Sequence, residues 1–367
     1  MSEKDNKYRF LFAGGGTGGH LFPAVAVADK IKSLIPEAEI LFIGTKSKIE
    51  GKVVPELGYK FCSIWIKGFA RKFNAENLLF PIKLIVSIIQ SIIINMKFRP
   101  IVAIGSGGYV SGPAIYGASL MGAKIILLEQ NSYPGVTTRL LEKYADEVHI
   151  SFDDSRKYFR FNEKLHLTGN PVRESLKRVS KADAAGYFNL LADKKTLLVL
   201  GGSLGAAAIN QSVASVVKGF EKADLQVIWQ TGRNSFNAFK SFESDKVRVF
   251  PFIEKMDIAY SACDLLLARA GGITIAEFLT LAIPCILVPS PNVAENHQYY
   301  NAKSLSDKSA AVLIDEKFLK DSIFDKVNSL INDEKGLATL RDNAQKLARP
   351  EAAAIIAQKA IRYAESV

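Results

Sequence analysis

The chain has 367 residues, 48% of them hydrophobic and 23% charged, more than a single hydrophobic core holds and suited to two domains of roughly 150–200 residues. Disorder, collagen and small disulfide scaffolds are excluded by that composition. Three cysteines, Cys62, Cys263 and Cys285, are odd in number and far apart, so neither a disulfide framework nor a zinc site is expected and a reducing, cytoplasmic setting fits.

The charged opening segment leads into only four apolar residues, Phe10 to Ala13, which is no secretory signal. A first strand is predicted over 9–13, running into Gly14-Gly-Gly-Thr-Gly-Gly-His20 and then a helix. Glycine lets backbone approach a phosphate, and a helix amino terminus offers free N–H groups to it. The loop matches G-x-G-x-x-G, yet the next strand (40–43) ends Ile43-Gly-Thr-Lys46. That end has no carboxylate to hold a ribose, so a dinucleotide is disfavoured. No Gly-Lys-Ser/Thr follows, which excludes a Walker loop. His20, at the start of the helix, is placed to act as a general base near neutral pH or simply to pack there. Thr17 is either a phosphate or sugar ligand or a turn residue.

Charge is concentrated early in the chain. Residues 60–99 hold seven basic side chains and one acidic, around the most apolar run of the protein, Leu84-Ile-Val-Ser-Ile-Ile-Gln-Ser-Ile-Ile-Ile94. Basic plus apolar points to an anionic membrane surface. Interruptions at Pro81, Lys83, Gln90, Asn95 and Lys97 disfavour a span, and a buried core helix is the plain alternative.

Further strands are predicted over 101–104, 124–128, 147–150, 196–200, 226–229, 247–250, 265–268 and 285–288. Alternation with helical stretches reads as parallel α/β structure. Both halves open alike, strand into glycine loop into helix, so two Rossmann-like domains with parallel sheets facing across a cleft are the natural reading. The link is placed at Gly169-Asn-Pro-Val-Arg173 and the polar residues 174–183. This gives a first domain over 1–170, a second over 171–345, and a C-terminal helix over 346–367 that could pack back on the first domain.

The second half carries Gly201-Gly-Ser-Leu-Gly205 and Ala270-Gly-Gly-Ile-Thr274. Thr274 and Glu277 fall three apart, on one helix face. A carboxylate there suits vicinal ribose hydroxyls, while helix termini and Ser203 suit a diphosphate; a helix-end charge is the plain reading of Glu277. His297 and Gln298, in a polar loop, could reach a sugar. No Asp-x-Asp occurs and the four histidines, at 20, 149, 166 and 297, lack ligand spacing. No metal, no cofactor and no nucleic-acid partner are expected, and a diphosphate leaving group would rely on helix termini, Arg173 and loop N–H groups.

Seven collinear segments, from the first glycine loop through Gly107-Gly-Tyr-Val-Ser-Gly-Pro113, Glu129-Gln-Asn131, 169–173, 201–206 and 269–277 to Asn296-His-Gln298, resemble the MurG family of bacterial glycosyltransferases. The resemblance covers about residues 8–302. It implies a GT-B fold and an inverting, metal-independent transfer of N-acetylglucosamine from its UDP donor to the 4-hydroxyl of the lipid-linked muramyl pentapeptide. It also implies a place in peptidoglycan synthesis, hence in cell shape and division, at the cytoplasmic face of the membrane. By the same resemblance Thr17, Gly18, Gly19, Asn131, Arg173, Ser203, Ile253, Thr274, Glu277 and Gln298 would bind UDP-N-acetylglucosamine. Gly15, Gly16, Gly107, Gly108 and Tyr109 would lie on the acceptor side, with His20 as catalytic residue. Leu128 stands where some members have histidine, and His297-Gln298 where some have two glutamines. A transferase acting on diacylglycerol and a non-catalytic nucleotide-sugar-binding subunit are the alternative readings.

Overall fold

The computed structural model describes residues 8–68, 79–202 and 205–366. Two compact units form, one from residues 1–173 with 349–367, the other from residues 174–348.

The first unit holds a parallel sheet of seven strands. They are β1 (Arg9–Gly14), β2 (Glu39–Gly44), β3 (Lys60–Ser63), β4 (Val102–Gly107), β5 (Lys124–Glu129), β6 (Glu147–Ile150) and β7 (Leu165–Leu167), in spatial order 3-2-1-4-5-6-7. Both faces of β1 are covered, which is why it reads as an unbroken apolar run rather than an alternating one. Phe10 and Phe12 face the helices Gly18–Leu34 and Ala352–Glu365, while Leu11 and Ala13 face the other layer with Ala114 and Ile115. The C-terminal helix lays Ile356, Ala357, Ala360 and Ala364 into the first of these clusters, so two distant chain segments share one core.

The second unit holds six parallel strands. They are β8 (Thr196–Leu200), β9 (Gln226–Gln230), β10 (Val247–Phe250), β11 (Leu265–Ala268), β12 (Cys285–Leu287) and β13 (Val312–Leu313), in order 10-9-8-11-12-13. Trp229, fully buried, packs with Val199 and Leu267 under the helices Ala207–Lys222 and Glu316–Ile331, and its indole N–H donates to Asn210 Oδ1 at 3.0 Å.

All ten strands expected from the sequence are present. Three more, β3, β7 and β13, are short and lie toward the sheet edges, where half-exposed residues give no apolar run. The polar stretch 174–183, expected as the interdomain link, opens the second unit and is bonded to it. Arg178 Nε donates to the Leu281 carbonyl at 3.0 Å, the Val179 N–H to Ser261 Oγ at 3.1 Å, and Lys181 pairs with Asp264 at 2.8 Å.

Candidate active site

In each unit the strand order reverses once, between β1 and β4 and between β8 and β11, and at such switch points a crevice opens beyond the carboxyl ends of the strands. The glycine loops lie there.

In the first unit the loop after β1 carries Gly15, Gly16 and Thr17 into the helix Gly18–Leu34. Gly18 and Gly19 open that helix, whose first turn has no acidic residue. His20 follows. Its Nδ1 lies 2.9 Å from the Ser106 carbonyl oxygen and 3.2 Å from Gln130 Oε1. Both partners accept, so Nδ1 carries the proton and Nε2 the lone pair. Ser106 Oγ donates back to the His20 carbonyl at 2.6 Å. Gly107 and Gly108 take φ of +96° and +82°; a Cβ on Gly107 would fall 2.7 Å from the imidazole Nδ1, and one on Gly108 would fall 2.5 Å from the Gly15 carbonyl. Only glycine lets the two loops meet so closely. Burial lowers the His20 pKa, while the bonds to Gln130 and Ser106 and the charge of Glu50 oppose that shift. The ring is therefore neutral at pH 7 and competent as a base.

Two buried carboxylates brace these loops, and no motif gives either a role. Glu50, 1% exposed, accepts from the Gly16 N–H at 2.9 Å and the Thr45 N–H at 3.0 Å. It sits beyond the end of β2, the region of a ribose-binding acid in dinucleotide folds, but its oxygens are taken by backbone N–H groups. Glu129, at the end of β5, accepts from the Asn131 N–H, from Asn131 Nδ2 and from the Gly135 N–H at 3.0, 3.2 and 3.0 Å. Burial raises its pKa against these bonds. Asn131 is thereby aimed by its neighbour. Tyr109 is exposed, its ring lying against Gly68. Arg173, also exposed, is the last residue of this unit before the chain leaves it.

In the second unit Gln230, ending β9, was likewise missed. Its Nε2 donates to the Gly202 carbonyl at 3.3 Å and its Oε1 accepts from the Ile253 N–H at 2.8 Å. One buried carboxamide thus joins the loop after β8 to the loop after β10 and fixes Ile253. Ser203 lies outside the described residues. Gly271 caps the helix Gly272–Thr280, which again lacks an acid in its first turn. Thr274 is half-buried on that turn, and Glu277 behind it is buried with Oε2 accepting from the Tyr260 hydroxyl at 2.9 Å. Gln298 spends its carbonyl on the Ser290 N–H at 2.9 Å, leaving its NH₂ as the donor it can offer. His297 Nδ1 lies 2.8 Å from the Ala294 carbonyl. Arg269 is taken up structurally, paired with Glu316 and donating to the Val288 carbonyl at 3.1 Å.

The structure thus groups Gly15, Gly16, Thr17, Gly18, Gly19, His20, Gly107, Gly108, Tyr109 and Asn131 in one unit, and Ile253, Thr274, Glu277 and Gln298 in the other. Among the described residues no three His, Cys, Asp or Glu side chains gather as a metal site. Two histidines scattered in sequence do meet, however. His149 and His166 are register partners on β6 and β7 and stack at 5.4 Å.

Residues 10–150 match the glycosyltransferase family 28 N-terminal domain and residues 196–358 the family 28 C-terminal domain. A Flavobacterium psychrophilum protein named UDP-N-acetylglucosamine–N-acetylmuramyl-(pentapeptide) pyrophosphoryl-undecaprenol N-acetylglucosamine transferase is 40% identical, covering 98% of this chain and 99% of its own. A Bacteroides thetaiotaomicron protein of the same name is 42% identical, covering 99% of each. The crystal structure of Acinetobacter baumannii MurG superposes with a TM-score of 0.77 at 26% identity, over 96% of this chain and 99% of that one. The chain belongs to glycosyltransferase family 28, among the relatives that carry this transferase name.

Proposed function

We propose that the protein transfers N-acetylglucosamine from UDP-N-acetylglucosamine to the 4-hydroxyl of undecaprenyl-pyrophosphoryl-N-acetylmuramyl-pentapeptide, the conversion of lipid I to lipid II in peptidoglycan synthesis. The observation that carries the chemistry is His20, held through Nδ1 at the switch point with a neutral ring, which leaves Nε2 as the basic nitrogen. On this reading Nε2 takes the proton of the acceptor hydroxyl as its oxygen bonds to the sugar C1. The bond from C1 to the diphosphate oxygen breaks on the opposite face, so the anomeric configuration inverts. UDP leaves with the bonding pair. Its charge is met by loop N–H groups and the amino termini of the helices Ala207–Lys222 and Gly272–Thr280. Glu277, anchored by Tyr260, takes the ribose hydroxyls, and Ile253 and Gln298 line the donor. Asn131 holds the sugar and Tyr109 and the 107–108 loop meet the acceptor.

A lipid-linked acceptor calls for work at the cytoplasmic membrane face, and the helix Phe80–Phe98 supports that reading. Its buried residues are Lys83, Ser87, Ser91 and Asn95, whereas Ile82, Ile85, Ile89, Ile93 and Met96 are 47–59% exposed. A helix with its polar stripe inward and its apolar stripe outward suits lipid rather than water. Wall synthesis at that surface would tie the enzyme to cell shape and division.

The deciding experiment incubates the protein with radiolabelled UDP-N-acetylglucosamine and either lipid I or diacylglycerol, with and without EDTA. Label is expected on lipid I, unaffected by chelation. Label on diacylglycerol would overturn the acceptor assignment, and rescue of a chelated enzyme by magnesium would overturn the account of the leaving group.

A further inference from the structure

Glu50 is the buried carboxylate that the chemistry above leaves without a task. It lies in the first turn of the helix Ile49–Glu56, a position that suits an acid, and is 1% exposed. Its oxygens accept from the Thr45 and Gly16 N–H groups at 3.0 and 2.9 Å. It has no ion-pair partner among the described residues. A carboxylate taken out of water is ordinarily held by a cation, and this one has two amide dipoles instead. The surrounding backbone admits it closely: a Cβ on Gly15 would fall 2.3 Å from its carboxyl carbon, and one on Gly44 would fall 2.5 Å from its Cγ.

The packing leads on from there to His20. The Gly15 carbonyl stands 2.5 Å from where a Cβ on Gly108 would be, and a Cβ on Gly107 would fall 2.7 Å from the imidazole Nδ1. Carboxylate, first glycine loop, second glycine loop and imidazole thus form one packed chain. Bracing alone accounts poorly for a charge at its end. A loop that serves only to receive an anion gains nothing from a fixed negative charge beside it, and loses the Gly16 N–H that the carboxylate takes. The charge has a use once a positive one forms nearby. His20 forms it: Nε2 takes the acceptor proton while Nδ1–H stays with the Ser106 carbonyl and Gln130 Oε1, so the ring passes from neutral to imidazolium. Those two partners, from β4 and from the residue after β5, are uncharged. The charge acting on the ring is that of Glu50, and it favours the protonated form.

We propose that Glu50 is a positioning residue of the transfer, one that holds the first glycine loop by two backbone N–H groups and sets a fixed negative charge for the imidazolium that forms on His20 as the acceptor hydroxyl gives up its proton. This role rests on the reading of His20 as the base. A buried charge is little screened by salt, so it acts on the ring through the packed loops without touching it.

The test records kcat/KM for a water-soluble acceptor against pH, at saturating donor, in the full-length wild type, Glu50→Gln, Glu50→Asp and His20→Ala, each checked for folding by circular dichroism. Glu50→Gln removes the charge and must turn an NH₂ toward one of the two N–H groups. It should lower the plateau roughly twofold or more and move the acid limb down by about half a pH unit or more, with donor KM near that of the wild type. Glu50→Asp keeps the charge on a shorter arm, so its plateau should fall while its limb holds within about 0.2 pH unit. A plain structural brace would lower the plateau in both variants and leave both limbs in place. An unmoved limb in Glu50→Gln, or an equal shift in the two variants, would overturn the role. A second measurement does not need Glu50→Gln to fold. In wild type labelled with carbon-13 at the glutamate carboxyls, the resonance missing from Glu50→Asp should shift as His20 protonates, and that inflection should vanish in His20→Ala. No such inflection would also overturn the role. An acid limb that survives in His20→Ala would instead overturn the base reading beneath it.

Discussion

As the proposed base, His20 depends on two residues remote in sequence. The Ser106 carbonyl and Gln130 Oε1 hold the proton on Nδ1, and burial keeps the ring's pKa below its ordinary 6.5. A base must be unprotonated, so kcat/KM should fall only as pH drops below 6.5, and the acid limb of the profile should lie under the value for a free imidazole. His20→Ala should remove that limb and lower turnover by about 10²–10⁴-fold with donor binding nearly intact; a loss of only a few fold would reduce His20 to positioning. The Gln130 bond raises the pKa, so Gln130→Leu should move the limb further down, and an upward move would refute the assigned geometry. On the donor side, Glu277→Ala should cost roughly 2–4 kcal/mol of transition-state stabilisation, seen mainly as a higher donor KM. Tyr260→Phe, which removes one hydrogen bond to that carboxylate, should cost about 1 kcal/mol in the same direction. Unchanged donor KM in a folded Glu277→Ala protein would remove Glu277 from the ribose. The site was legible where local pattern carries it. A glycine loop before a helix places His20, and i, i+3 spacing places Thr274 with Glu277. Glu50, Gln130, Gln230 and Tyr260 were not legible, because each reaches its partner through tertiary folding, across as many as 110 residues for Gln130; Glu50, Gln230 and Tyr260 sit in no motif, and Gln130 lies in one that does not show what its side chain meets.

At the scale of elements, the helix Phe80–Phe98 shows what periodicity alone conceals. Lys83, Ser87, Ser91 and Asn95 recur every four residues and read as a solvated stripe, yet they are the buried face. Small side chains allow this. A Cβ on Gly117 of the helix Ser111–Leu120 would fall 3.2 Å from Ser91, and Asn95 Nδ2 donates across to the Ala114 carbonyl at 3.3 Å. Close approach of small residues is the mode of helix packing used where solvent does not drive association. Lys83 is buried with its ammonium 5.6 Å from the Trp65 ring centre, so it adds little to the outer charge; Arg71 and Lys72 lie outside the described residues. Ile88 and Ile92, one turn apart, are only half-exposed, and the pair that meets the surroundings is Ile85 and Ile89, at 59% and 52%. Ile85→Asp with Ile89→Asp should fold normally and lose vesicle binding by tenfold or more on neutral and anionic lipid alike, since burying an isoleucine side chain contributes roughly 1.5–3 kcal/mol. Lys97→Glu should weaken binding to anionic vesicles only, by about 1 kcal/mol, and salt should screen that loss. Equal vesicle binding by the isoleucine variant would exclude this stripe as the lipid-facing surface.

At the scale of the whole molecule, the first unit depends on a helix contributed by the far end of the chain, and polar groups fasten it. Glu147 on β6 accepts from Lys359 Nζ at 2.8 Å and the Tyr363 hydroxyl at 3.0 Å, both on the helix Ala352–Glu365, and from His149 Nε2 at 3.1 Å. His166 Nε2 stands 3.8 Å away, and Lys124, paired with Asp146, lies 5.6 Å from the Tyr363 ring centre. Sequence reading could expect a terminal helix to pack back, since its alanines and isoleucines form a stripe. It could not foresee the clasp, which needs β6 and β7 in register to bring His149 beside His166. Burial alone would push the Glu147 pKa up, but the bonds from His149, Lys359 and Tyr363 outweigh it and bring the pKa to about 2. Burial also lowers the pKa of His149. The signs agree. As pH falls through 6.5 the unfolded chain protonates its histidine while the folded clasp resists, and as pH falls from about 4.5 toward 2 the folded carboxylate resists what the unfolded one accepts. Both steps destabilise, and the second should remove on the order of 2–3 kcal/mol. Amide protection factors in the helix Ala352–Glu365 should therefore fall between pH 4.5 and 3 in the wild type. In Glu147→Gln the same protection factors should already be lower at pH 7 and change little across that lower window. If the variant keeps the full acid dependence between pH 4.5 and 3, the carboxylate of Glu147 is not what fastens the two ends of the chain.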